Sequence, residues 1–185
     1  MELLTGEPLA LDLVNTRSRD HDVLDRAADF DDWLARQSGR LTLPDAPFPA
    51  GDLAAVRRLR GHVEAAVDAA RQAVPAPPDS IAAINEALRL SPPYPRLEAR
   101  GVVFASVARR DGTGVSRLLT QLAEAAVELL TDPNVGKVRS CEAPDCRMLF
   151  LPAHPRRRWC SPTLCGNRIR VARYYQRHKL DHSQI

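Results

Sequence analysis

The placing of the cysteines constrains this chain more than anything else in it. All four fall between positions 141 and 165, as Cys141-Glu-Ala-Pro-Asp-Cys146, thirteen further residues, and Cys160-Ser-Pro-Thr-Leu-Cys165. Two identical short pairs suit a tetrahedral thiolate site, because each loop turns two sulfurs towards one point and leaves two corners for the other pair. One structural zinc ion is the expected occupant, since it accepts four thiolates and the closed shell leaves no position for an activated water. Four thiolates also hold iron or an iron–sulfur cluster, and spacing alone does not separate these. Disulfides suit exported chains, whereas Met1 to Thr5 carries Glu2 in place of a basic start and no long apolar stretch follows. A cytoplasmic protein with reduced cysteines is therefore expected.

Ser161 suits a helix N-cap and Pro162 the first helical position, so Cys165 is predicted in the first turn of a helix running to about Lys179. The metal would then sit at the positive end of a helix dipole, which favours the Cys160 and Cys165 thiolates. With a hairpin predicted through Met148–Leu151 and Arg158–Cys160, the segment reads as a treble-clef-like finger.

Cys165-Gly166-Asn167-Arg168, preceded by Arg157-Arg158-Trp159-Cys160-Ser161, resembles the signature of the CGNR zinc finger. Proteins of that family carry an N-terminal helical region called the ABATE domain, and Leu9-Ala-Leu-Asp12-Leu-Val-Asn15-Thr16 resembles its opening motif. The resemblance implies a bacterial, stress-related transcription regulator with a DNA-binding finger and a ligand-sensing helical domain.

At 185 residues the chain can form one domain with a substantial core plus a small satellite that needs its metal. The expected fold is mainly α with a small β-hairpin: a helical domain over 1–136, then a finger over 137–185 with a basic C-terminal helix. No apolar run reaches membrane-spanning length. The net charge of +3 hides an asymmetry, −5 over 1–136 against +8 over 137–185. A zinc ion with four thiolates lowers the second figure by 2 and leaves the finger strongly basic, which points to a polyanionic partner.

Pro8 to Thr16 reads as a short helix that is apolar almost all round, hence buried. Asp12, Asn15 and Thr16 share one side of it, either lining a small-molecule pocket or forming a buried network or cap. Arg17 to Arg26 is a charged loop, with His21 among acids whose geometry nothing fixes. Asp29 is the predicted cap of a helix stopping at Gly39. Leu43 to Ala50, with three prolines, is a linker. The longest helical pattern starts at Asp52, runs through Leu53, Val56, Leu59, Val63, Ala66 and Val67, and ends before Pro75. Ser80 is the predicted cap of the next helix, which reaches Leu90. Leu97–Arg100 and Val102–Val107 read as paired short strands, and Val115–Leu130 as a further helix. The glycines at Asp111–Gly114 lack the spacing of a phosphate-binding loop.

At about 100° per residue, Arg170, Arg173 and Arg177 fall on one arc of the last helix with Tyr174 at its edge and Lys179 beyond. That stripe suits phosphate and guanine contacts. Arg156, Arg157 and Arg158, in the turn between the cysteine pairs, would add to the DNA-binding surface. Arg168 lies off the stripe and is expected against the finger, on Asp145, Glu142 or a backbone carbonyl; Trp159 is expected in the finger's core. No nucleophile lies beside a base and no open metal position is evident, so no enzymatic activity is expected. The alternative to DNA binding is an interaction adaptor whose finger docks on an acidic protein. A homodimer would help a single small finger reach specificity, and the helix from Asp52 is the first place to seek its surface.

Overall fold

The structure, a computed structural model, describes residues 5–43 and 47–182; for 173 and 177–182 it describes the backbone alone. The chain begins, as its pattern predicts, with a helix that has no polar face: α1 (Leu9–Val14) buries Ala10, Leu11, Leu13 and Val14. It forms the centre of the helical domain and packs on two long helices, α3 (Leu53–Arg71) and α5 (Gly114–Thr131). Between α1 and α3 lies α2 (Ala27–Arg36), where Phe30 stacks on Trp33 at 5.5 Å and meets Phe48 edge-on at 5.0 Å. The α4 helix (Pro78–Arg89) closes the bundle against α3 and α5.

Two predicted caps are not caps. Helix α2 starts two residues before Asp29, whose carboxylate sits in the first turn and faces His21 Nε2 at 3.8 Å. In α4, Pro78 is already helical and Pro77 takes the cap position; Ser80 is buried, 3.5 Å from His62 Nδ1. A proline fixes φ at the helical value and lacks the N–H that a cap would satisfy, so the helix can begin earlier without a side-chain acceptor. Two caps form that were not predicted from the sequence. Thr113 accepts a hydrogen bond from the Ser116 amide at 3.1 Å and starts α5, and Asp22 accepts from Leu24 at 2.9 Å in the loop before α2.

The strand pair forms as β1 (Tyr94–Arg100) and β2 (Val103–Arg109), antiparallel, with Tyr94 opposite Arg109 and Arg100 opposite Val103. A second, much shorter pair, β3 (Arg139–Ser140) and β4 (Leu149–Phe150), opens the finger. This corrects the predicted hairpin: the partner of the Met148–Leu151 segment is Arg139–Ser140, before the first cysteine. Residue Arg158 contributes only its carbonyl, which accepts from Glu142 N at 3.0 Å. The last helix, α6 (Asn167–His182), follows a wide π-helical turn over Pro162–Gly166.

Strand β4 is the seam of the molecule. Successive strand residues point to opposite faces. Leu149 enters the core of the helical domain, while Phe150 enters a separate cluster with Cys141, Ala143 and Cys165.

Candidate functional site

The four sulfurs converge. All lie within 4.8 Å of one another, with Cys146–Cys160 at 3.8 Å, Cys165–Cys146 at 3.7 Å and Cys160–Cys165 at 3.5 Å. Zinc–sulfur bonds of about 2.3 Å at tetrahedral angles set neighbouring sulfurs about 3.8 Å apart, close to the separations among Cys146, Cys160 and Cys165, so the donor set suits zinc. None of the four is disulfide-bonded.

Each pair is held by local chemistry. The first knuckle curls through Asp145, which adopts a left-handed φ of 63°, a conformation aspartate tolerates better than most residues. Its carboxylate is held from the helical domain by Arg19. In the second, Ser161 Oγ accepts from Leu164 N at 3.2 Å and starts the turn that presents Cys165, as predicted. Gly166 is closely fitted there: a Cβ would come within 3.1 Å of the Trp159 ring, which would have to shift to admit it, and the Gly166 N–H donates to Ser161 O at 3.0 Å. Trp159 accordingly packs in the finger's small core.

Hydrogen bonds to sulfur temper the negative charge of a tetrathiolate site. The Cys160 amide donates to Cys141 Sγ at 3.3 Å, and Arg168 donates to Cys165 Sγ at 3.6 Å and to the Pro144 carbonyl at 3.4 Å. Arg168 therefore braces the metal site, taking the carbonyl that was one of its predicted partners. Without metal, the Cys160 contact brings the Cys146 thiol down to about 5 and pushes Cys160 up, while burial pushes Cys165 up to about 11. Metal entry must therefore displace protons from the raised thiols.

The three polar residues Asp12, Asn15 and Thr16, in and just after α1, are each engaged in internal hydrogen bonds. Asp12 is buried and saturated: it accepts from Gly6 N at 2.9 Å and Glu7 N at 3.1 Å, and also holds Arg40. Thr16 donates to Leu13 O at 2.6 Å and accepts from Arg60 at 2.9 Å. Asn15 reaches the finger. Its Nδ2 donates to Leu149 O and its Oδ1 accepts from Leu149 N, both at 2.8 Å, so one side chain supplies both bonds a neighbouring strand would give β4. Polar groups withdrawn from water require partners, and these three spend theirs on backbone, arginine and, for Asp12, Gln37 at 3.4 Å.

Glu7, held in place by Asp12, completes the joint. One carboxylate oxygen accepts from Leu151 N at 2.9 Å and the other from Arg157 at 2.6 Å. Arg157 also donates to Cys160 O at 2.6 Å and lies over the Phe150 ring at 4.4 Å. Of the three adjacent arginines, Arg157 is thus structural, Arg158 is paired with Glu142 at 2.6 Å, and Arg156 is exposed. A further bridge joins Arg147 to Glu64 of α3 at 2.6 Å. None of these cross-links is visible in the sequence; the only hint is a cluster of polar residues on an otherwise apolar helix.

On α6, every described side chain beyond Ile169 is exposed, including Arg170, Tyr174 and Tyr175. The side chains of Arg173, Arg177 and Lys179 lie outside the described residues.

Residues 7–133 match the family described as "Putative stress-induced transcription regulator", ABATE, and residues 137–178 match the CGNR zinc finger. The chain belongs to the ABATE family. Its CGNR finger resolves the metal in favour of zinc, one ion on Cys141, Cys146, Cys160 and Cys165. No curated protein matches the sequence. Among the described residues no helix is long and apolar enough to cross a membrane.

Proposed function

We propose that this ABATE protein regulates transcription by binding duplex DNA through its zinc finger. The observation that carries this reading is the exposure of α6. Zinc and the preceding turn anchor the helix at its N-terminus, and from Arg170 onward its described side chains are exposed, with Arg170 also donating to the Pro162 carbonyl at 3.2 Å. Two of the finger's acids are taken, Glu142 by Arg158 and Asp145 by Arg19. Arg156, Arg170 and Tyr174, with Arg173, Arg177 and Lys179 on the same helix, make up the proposed contact surface; Arg157 and Arg158 leave the set because their charges are spent.

The test is binding over a salt series by the full-length protein, with zinc assayed on the same sample. With roughly four to six phosphate contacts, the logarithm of affinity falls against log salt with a slope of about −4 to −5. Reversing Arg170, Arg173 and Arg177 to Glu weakens binding and leaves zinc in place. Binding insensitive to salt overturns the reading. Retention of an acidic protein with none of duplex DNA at physiological salt replaces it with the adaptor.

If an effector acts on the protein, the place to seek it is a cavity of about 570 Å³ between the start of α1 and α5, lined by Leu9, Arg40, Arg110, Gln121 and Glu124. Arg40 on its wall also holds Asp12 and donates to the Glu7 carbonyl at 2.6 Å, so an occupant would touch a residue bonded to Glu7, which in turn meets the finger. A thermal-shift screen whose hits persist in Arg40→Ala excludes this route.

A further inference from the structure

The β1–β2 hairpin is an arm with no partner among the described residues. Leu97 is 71% exposed, Phe104 70%, and Val102, at the tip, 97%. The register sorts the arm into two unlike faces. Residues directly opposite in an antiparallel pair share a face. One face therefore carries Tyr94, Arg96, Glu98 and Arg100 with Val103, Ala105, Val107 and Arg109, and on it Glu98 pairs with Arg109 at 2.6 Å. The other carries Pro95, Leu97, Ala99, Phe104, Ser106 and Ala108; it bears no charge, and every residue on it is exposed.

The root of the arm is tied to the helical domain. Tyr94 donates to Asp111 Oδ1 at 2.9 Å across its root, and Arg110 donates to the Ser91 carbonyl at 2.9 Å and to Glu124 of α5 at 2.6 Å. An isolated two-stranded hairpin is marginal in water, and one with its apolar face uncovered lacks the burial that usually stabilises it. A partner covering that face would supply this burial.

We propose that the cover is the same face of a second copy, the two arms packing across a two-fold axis with Leu97 and Phe104 at the centre. Two properties select a second copy. An isologous contact sets a patch against itself, which is free of repulsion only where the patch has no net charge, as here. The area also suffices: the charge-free face and Val102 expose on the order of 500 Å² per arm, so pairing removes on the order of 1,000 Å², the lower bound for a specific interface. Nucleic acid is disfavoured because this face has no cation for phosphate. Taken with the DNA-binding reading, on which this clause alone rests, the dimer presents two basic helices at once and supplies the specificity a lone finger lacks.

Sedimentation equilibrium on the full-length, zinc-loaded protein tests the arm. Wild type is expected to run at twice its 20.4 kDa chain mass at tens of micromolar. Leu97→Arg with Phe104→Arg should return the mass to one chain, raise the dissociation constant at least about 100-fold, and leave circular dichroism and zinc content unchanged. Both side chains are exposed in the monomer, so the variant has no core to lose. A wild type that stays monomeric to several hundred micromolar overturns the proposal, as does a dimer indifferent to both substitutions. DNA binding read on the same samples separates the two readings. A monomer that binds DNA sinks the dimer alone, and if the arm variant of that monomer loses binding, the arm belongs to nucleic acid. A dimer that ignores DNA sinks only the DNA reading.

Discussion

Around Leu11 and Leu122 the helical domain excludes water completely, whereas the finger buries little beyond Phe150, Ala143 and its own sulfurs. The first region folds because a helix with no polar side has bundle helices to lie against. The second cannot bury enough apolar surface, and four coordinate bonds take the place of a core. Phe150 is a finger residue and Leu149, its neighbour, a domain residue. The contrast teaches that the two folding principles meet within one dipeptide, so the finger is metal-built on one face and core-built on the other.

The strongest way to break the comparison is to remove the metal. Chelation should cost the finger on the order of 10 kcal/mol of binding free energy and unfold it, while the far-ultraviolet signal of α1, α3, α4 and α5 persists; loss of the whole signal would mean the helical domain depends on zinc too. The reciprocal change, Leu11→Ala, should destabilise the helical domain by about 3–4 kcal/mol in denaturant and leave one zinc per chain. Third, Asp22→Asn should cost about 3 kcal/mol, because Arg60, only 5% exposed at its side chain, keeps its charge and loses its carboxylate. Burial opposes ionisation of Asp22, but Arg60, the Leu24 amide and Arg57 outweigh it and hold the carboxyl below its ordinary 3.8. A lowered pKa contributes stability that is fully present above 3.8 and is lost as pH falls through the lower folded value, so an acid titration of wild type against Asp22→Asn should converge below that window.

The smallest effects sharpen the seam itself. Asn15→Ala strands the Leu149 N–H and C=O and should cost about 2 kcal/mol, read in calorimetry as one melting transition splitting into two, with zinc retained. Glu7→Gln keeps an acceptor for Leu151 but loses the charge facing Arg157, for about 1 kcal/mol and a slight separation of the same transitions.

The sequence made legible what is periodic or spaced: the cysteine pairs, the long helix from Leu53, the strands flanking Gly101, and Ser161 with Pro162 at the head of the turn presenting Cys165. It hid what depends on distant partners. Asn15 lies 134 positions from Leu149, and no local pattern tells an amide that closes a strand edge from one that lines a pocket. Arg156, Arg157 and Arg158 look equivalent in a row, yet only Arg157 reaches both an aromatic face and Glu7. Strand β3, two residues long, is too short to show alternation, so Met148–Leu151 offered no sign of which segment it would pair with.

The amide of Asn15 also bears on protein engineering. A finger cut out at its family boundary would carry β4 with its outer edge stripped of the Asn15 side chain that imitates a neighbouring strand, and with Leu149 facing water. Such a graft, which also lacks the Glu7 carboxylate that accepts from Leu151 N, is a candidate for stickiness even when fully metallated. A transplant that is to behave should bring an Asn-bearing helix with it, or replace Leu149 with a polar residue.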